Sequence, residues 1–198
     1  MTESKILPIV VYGSKILREV CVEAENNLDT KILINDLLTT ISSIGTAVGL
    51  AANQVNYNKR IFVMEMGFKK IVVINQVITK RRGTQKSHEG CLSVPATYFD
   101  MFVRDEIIDV EFYDQNFNKQ KIKLKGFAAV VFSHEIHHLD GILFTDLLTK
   151  EGKEQIADKL SDIAKGIYDE ISYQVIFPDI ITHIFVKSNE DVTPLVLD

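Results

Sequence analysis

The 198-residue sequence predicts a single α+β domain, with antiparallel or mixed strands around a central helix and further helices towards both ends. Three observations carry that prediction. Strand-like runs fill the middle of the chain, helical periodicity marks residues 29–45 before them and about 151–173 after them, and a third helical stretch from Phe127 carries most of the histidines. The expected organisation is one domain over residues 1–175 and a tail over 176–198 with no assigned role.

In the first helix Leu33, Ile34, Leu37, Leu38, Ile41 and Ile44 form one apolar face, with Asp29 or Thr30 as the cap and Gly45 as the stop. The runs I-F-V-M-E-M from Ile61 and I-V-V-I-N-Q-V-I from Ile71 read as strands. The alternation in I-I-D-V-E-F-Y (107–113) and K-I-K-L (121–124), joined by D-Q-N-F-N, predicts a hairpin. The late helix carries Ile156, Leu160, Ile163, Ile167 and Ile171 on one face. The apolar run after it is broken by Pro178, and an added strand, a docked tail and an oligomer contact all stay open.

Composition narrows the function classes. A formal charge of −5 lowers the case for nonspecific binding to nucleic acid or anionic membrane. No apolar run reaches the ~18–20 residues of a membrane span, and the first residues lack signal-peptide order. The expected location is the cytoplasm, with no membrane partner and no sequence-specific nucleic acid. Two cysteines, Cys21 and Cys91, make no disulfide framework.

The stretch S-H-E-I-H-H-L-D-G, residues 133–141, holds His134, Glu135, His137 and His138. At ~100° per residue from Phe127, His134 and His138 fall at about 340° and 20°, in the centre of the apolar stripe. Glu135 borders that face at about 80°, and His137 lies at its edge near 280°. His134 and His138 are therefore the ligand pair, one turn apart, and Glu135 is placed to act as general base on a water. A surface glutamate with core histidines is the plain alternative, but two buried imidazoles and a carboxylate without partners are costly. His137 is assigned to solvent or to outer support, and His88 and His183 to structural or exposed positions. A third histidine ligand after Gly141 is missing, since Phe144 stands there, while Glu151 and Glu154 remain candidates on spacing alone.

Upstream, H-E-G-C-L-S-V-P (88–95) offers Cys91, whose thiolate would complete a Cys-His-His set with an open fourth position. A-V-G-L-A-A-N-Q (47–54) offers small residues for close backbone approach and Gln54 as an amide donor. In this order G-L-A-A-x-Q, E-G-C-L-S and H-E-x-x-H-L-x-G resemble the peptide deformylase family. I-L-P-I-V-x-Y-G near the N-terminus and L-F-x-D-x-L after the helix extend the resemblance over roughly residues 6–170.

The resemblance implies that Cys91, His134 and His138 bind one divalent metal, ferrous iron being usual and zinc, nickel or cobalt able to replace it. Glu135 would carry the proton from water to the leaving amine, and Gln54 with the backbone N–H of Leu92 would donate to the oxyanion. Gly49 and the backbone at Glu89 and Gly90 would pair with the peptide, while Val48, Phe127, Val130 and Val131 would line the methionine pocket. The partners would be N-formylmethionyl nascent peptides, with a transient ribosome contact.

Two departures qualify this. Ala47 stands at a family glycine and fits only with negative φ. Tyr98 stands seven residues after the cysteine, where many members have arginine, and Arg104 corresponds to a later family arginine displaced by one insertion. The alternatives are a divergent amidase for another N-acyl substrate and a non-catalytic, metal-stabilised binder of nascent chains. In the late helix, Lys153, Lys159 and Lys165 alternate with Glu154, Asp158 and Asp162, so it reads first as a solvated face and argues little for ribosome docking.

Overall fold

A computed structural model describes residues 4–67, 69–167, 175–177 and 180–183. Among the described residues, eight strands and three α-helices follow in the order β1 (Ile9–Val10), α1 (Leu28–Ile44), β2 (Gly49–Ala51), β3 (Ile61–Met66), β4 (Lys69–Cys91), β5 (Val94–Tyr113), β6 (Lys119–Lys125), α2 (Phe127–Leu139), α3 (Lys150–Ala164), β7 (Val175–Phe177) and β8 (Ile180–His183). Strands β2-β3-β4-β5-β6 make an antiparallel sheet in sequence order. The α+β class is as the sequence predicts.

The contiguous run Ile61-Phe62-Val63-Met64 is apolar because β3 is covered on both faces. Ile61 and Val63 pack with Val72 and Ile74 against Leu33, Ile34, Leu37 and Ile41 of α1. Phe62 and Met64 turn the other way, with Ile108, Val110 and Phe112 of β5, onto Val131, Phe132 and Ile136 of α2. Phe62 meets Phe132 edge-on, with ring centroids 4.9 Å apart. Truncating either ring to alanine costs about 3–5 kcal/mol. Being fixed against this second layer, α2 is buried along nearly its whole length, and that burial positions its histidines.

Some boundaries differ from the sequence reading. The α1 cap is Asn27, whose side chain accepts from the Thr30 N–H at 2.9 Å, ahead of the expected residues. Gly45 ends the helix with φ 72°, as expected. The late helix begins after Thr149, whose hydroxyl accepts from Gly152 N–H, and ends at Ala164. Gly166 turns the chain with φ 81°, so Ile167 lies outside the helix and is exposed, while Ile171 falls outside the described residues. The segment after α3 contributes an added strand: Val175 and Ile176 pair in parallel with Ile9 and Val10, and β8 extends that small sheet. Residues 178–179 and 184–198 of the expected tail lie outside the described residues.

The largest departure is the β4–β5 hairpin. β4 is 23 residues and β5 is 20, and they stay paired to Cys91↔Val94 across a turn at Leu92-Ser93. The register shifts between Gly90↔Tyr98 and Cys91↔Val94, so Pro95, Ala96 and Thr97 bulge out of β5. Ala96 holds φ 51°, and its carbonyl accepts from the Lys159 ammonium of α3.

Candidate metal centre

Two elements meet at the site: β4 delivers Cys91 at its last residue, and α2 delivers His134, Glu135 and His138 from its interior. The thiol sulfur lies 3.1 Å from Nε2 of His138, and the two imidazole rings stand 5.0 Å apart. One donor atom from each of Cys91, His134 and His138 can be chosen so that all lie within 4.8 Å of one another. Donors on a tetrahedral ion stand roughly 3.4–3.6 Å apart, and the spacings here bracket that range.

The electrostatics fit a cation as well. Burial lowers both imidazoles, and His138 sits well below its ordinary value for that reason, with the charge of His134 adding to it. At His134 burial is outweighed by Cys91 and Glu89, which hold its imidazolium up to about 10. Sulfur and carboxylate thus stabilise a positive charge inside the cluster, and a proton is the smallest cation that can supply it. Thiolate with two neutral imidazoles is a donor set for a borderline-soft divalent ion.

His134 has the more elaborate support. Its Nδ1–H donates to Glu89 at 2.9 Å. Glu89 also accepts from Ser87 at 2.7 Å and from Arg104 through Nε and one terminal amino group, both at 2.6 Å. Burial opposes the charge on Glu89, yet the bonds from Arg104 and His134 hold its carboxyl well below the usual range. Both Glu89 and Arg104 are 5% exposed. The other ligand is held by its backbone, since the Asn53 amide donates to the His138 carbonyl at 2.5 Å.

Glu135 stands in a different setting. Its Oε2 is buried without a hydrogen-bond partner among the described residues, and a Cβ on Gly49 would fall 2.2 Å from Oε1. Burial, opposed by His134 and aided by Glu89, pushes it up to about 7. Gln54 is oriented by the Ala51 N–H, which donates to Oε1 at 2.8 Å, leaving Nε2 facing Ser93 at 3.3 Å and Cys91 at 3.5 Å. Leu92 lies in the turn directly after Cys91.

The structure gathers Cys91, His134, His138, Glu135, Gln54, Gly49 and Glu89 around one point. Val48 and Phe127 line a cavity of about 380 Å³ together with Ile41, Ala47 and Met66. Val130 and Val131 are buried on α2 and do not line it, Val131 packing into the sheet-facing core. Ala47 is absent from the residues of positive φ, as its fit requires. Gly90 lies under the ring of Tyr98, which is 69% exposed and stacks parallel to His88 at 5.9 Å. Glu151 and Glu154 are exposed on α3 and are not among the clustered donors. The sequence assigns no role to Ser87, Asn53 or Ser93 and marks Arg104 only as a shifted family position; the partners of Asn53, Ser93 and Arg104 lie on other elements, while Ser87 bonds Glu89 within β4 itself.

A cysteine sulfur, two histidines one helical turn apart and a buried carboxyl group beside them define a metallohydrolase centre on an α+β scaffold. The chain belongs to the polypeptide deformylase family, whose sequence model matches residues 6–154. A peptide deformylase of Flavobacterium psychrophilum is 36% identical over 181 residues, covering 81% of this chain and 92% of that one. The Thermus thermophilus enzyme is 37% identical over 165 residues, covering 75% and 85%. Among solved structures, a peptide deformylase from Thermus thermophilus superposes with a TM-score of 0.77 at 38% identity, covering 81% of this chain and 99% of that one. The Synechococcus elongatus peptide deformylase, solved in complex with actinonin, gives 0.74 at 28% identity, covering 86% and 93%.

Proposed function

We propose that this enzyme removes the formyl group from the N-terminal methionine of nascent polypeptides, with Cys91, His134 and His138 holding a single ferrous ion that zinc, nickel or cobalt can replace. Bound there, a divalent ion supplies Lewis-acid polarisation of the formyl carbonyl and acidifies a water. The observation that carries the reading is Glu135, a carboxylate buried beside the three donors with one oxygen unpartnered. A group pushed up to about 7 is suited to take a proton from the attacking water and return it to the departing amine. As the C–N bond breaks, that proton converts the leaving nitrogen to the free amino terminus, and formate is the second product.

Gln54 and the backbone N–H of Leu92 donate to the oxygen that gains charge during attack. Because Ala51 fixes the carboxamide, Gln54 presents N–H rather than oxygen to the site. The peptide runs in extended form beside Gly49 and the backbone at Glu89 and Gly90. The cavity behind Val48 and Phe127 takes the methionine side chain, with Val130 and Val131 supporting its wall from α2. No helix among the described residues is long and apolar enough to cross a membrane, and the reading places the enzyme in the cytoplasm, in transient contact with ribosomes.

Formate release from formyl-Met peptides by anaerobically prepared protein tests the reading, against acetyl-Met and other N-acyl peptides. Formyl-Met peptides should be the best of the set. Were they the poorest, a divergent amidase would replace this reading, and the exposed Tyr98 beside Gly90 is the observation that favours that second one.

A further inference from the structure

We propose that His137 is a positioning residue of the metal centre, steadying the ligand His134 through Arg104 and Glu89. The inference rests on the reading that Cys91, His134 and His138 hold a divalent ion.

The contacts form a closed ring. His134 donates to Glu89 at 2.9 Å, Glu89 takes two bonds from Arg104 at 2.6 Å, and a terminal amino group of Arg104 lies 2.9 Å from Nδ1 of His137. His137 returns to His134 through Glu135 and Ile136 of the same helix, so the ring joins α2, β4 and β5. Arginine has only N–H groups to give, so Nδ1 of His137 is the acceptor and the neutral ring carries its proton on Nε2.

The geometry makes His137 more than a neighbour. Two nitrogens of the guanidinium grip both oxygens of Glu89, and the third is fixed by His137. Arg104 is buried, so an unpartnered N–H there is costly and is relieved only if the guanidinium turns. Glu89 would turn with it, and the carboxylate that orients His134 would lose its direction, with Ser87 left to hold it among the described residues. His137 itself is half-buried, so its loss removes little packing.

The test uses His137→Leu, which removes the acceptor, and His137→Asn, whose side-chain oxygen can stand where Nδ1 stands. Each protein is loaded with cobalt(II), its visible spectrum recorded, and release to excess chelator timed. Changes at groups bonded directly to a ligand cost roughly 10–100-fold in metal affinity, so two bonds further out, beyond Glu89 and Arg104, His137→Leu should release cobalt about 3–10-fold faster with an altered spectrum. His137→Asn should stay within about 2-fold of wild type, and the chelator-stripped proteins should melt alike. Wild-type release from His137→Leu, or equal acceleration in both variants, overturns the positioning role. Failure of the wild-type protein to take up cobalt overturns the metal-site reading itself, and the inference with it.

Discussion

Glu89 and Glu135 are both almost stripped of water and both flank His134, but their surroundings drive them in opposite directions. Glu89 is met by Ser87, Arg104 and His134 and stays ionised far below the usual range. Glu135 faces the space beside Gly49 with one oxygen unpartnered, and burial lifts it to about 7. A carboxylate whose lone pairs are all engaged can orient a neighbour but cannot trade protons. One left short of partners is unstable as an anion and can do so. The site divides its work on this basis, with Glu89 as support and Glu135 as proton carrier.

The comparison breaks most sharply at Glu135. Glu135→Gln keeps the shape and removes the base, so kcat on formyl-Met peptides should fall about 10²–10⁴-fold while metal content stays at one per chain. Metal analysis beside steady-state rates decides it, and a variant retaining near wild-type kcat would reassign the proton transfer. Gly49→Ala asks the same question from the opposite wall. Its Cβ would overlap Oε1, Cδ and Cγ of Glu135 at 2.2, 2.7 and 2.9 Å, so the carboxylate must move. A displacement near 1 Å costs roughly 10²-fold in rate, again with metal retained.

Glu89→Gln should show the complementary pattern. Metal affinity should drop about 10–100-fold by chelator competition. With Arg104 left buried and unpaired, chemical denaturation should show a loss of about 3–5 kcal/mol. Rates measured at saturating metal should suffer far less than in Glu135→Gln. If the two glutamate variants behaved alike, the division of labour would be wrong.

How much of this contrast the sequence discloses depends on distance along the chain. His134, Glu135 and His138 are legible because a helix fixes their angles locally, and the burial of α2 agrees with the stripe they occupy. The apolar faces of α1 and β3 are legible for the same reason. Cys91 is not reachable by periodicity; it enters through the order of three motifs, and the structure brings it to His138. Arg104 shows why the remainder is hidden. It lies 15 residues from Glu89 across a hairpin whose register slips near Cys91, and residues 79–88 are too polar to announce themselves as strand. Tertiary pairing, rather than propensity, forms that part of the sheet.

The two cysteines repeat the contrast between the carboxylates in milder form and give the smallest expected effect. Cys21 is buried against the α2-facing core, and burial, opposed by Arg60 and aided by Asp140 and Glu19, pushes its thiol up to about 11. At pH 8 roughly one such thiol in a thousand is thiolate, the reactive form. Cys91 is half-buried at the cluster and open to reagent when no ion occupies it. After chelation, a small alkylating agent at pH 8 should therefore label Cys91 and spare Cys21 in peptide mass maps. Cobalt or zinc added first should protect Cys91, since its sulfur is then a ligand. Labelling of Cys21 should rise only as pH nears about 11 or the protein unfolds. Equal labelling of both at pH 8 in folded protein would mean that the layer beneath α2 opens far more readily than its packing implies, and the fixed geometry argued for Glu89 and Glu135 would lose its foundation.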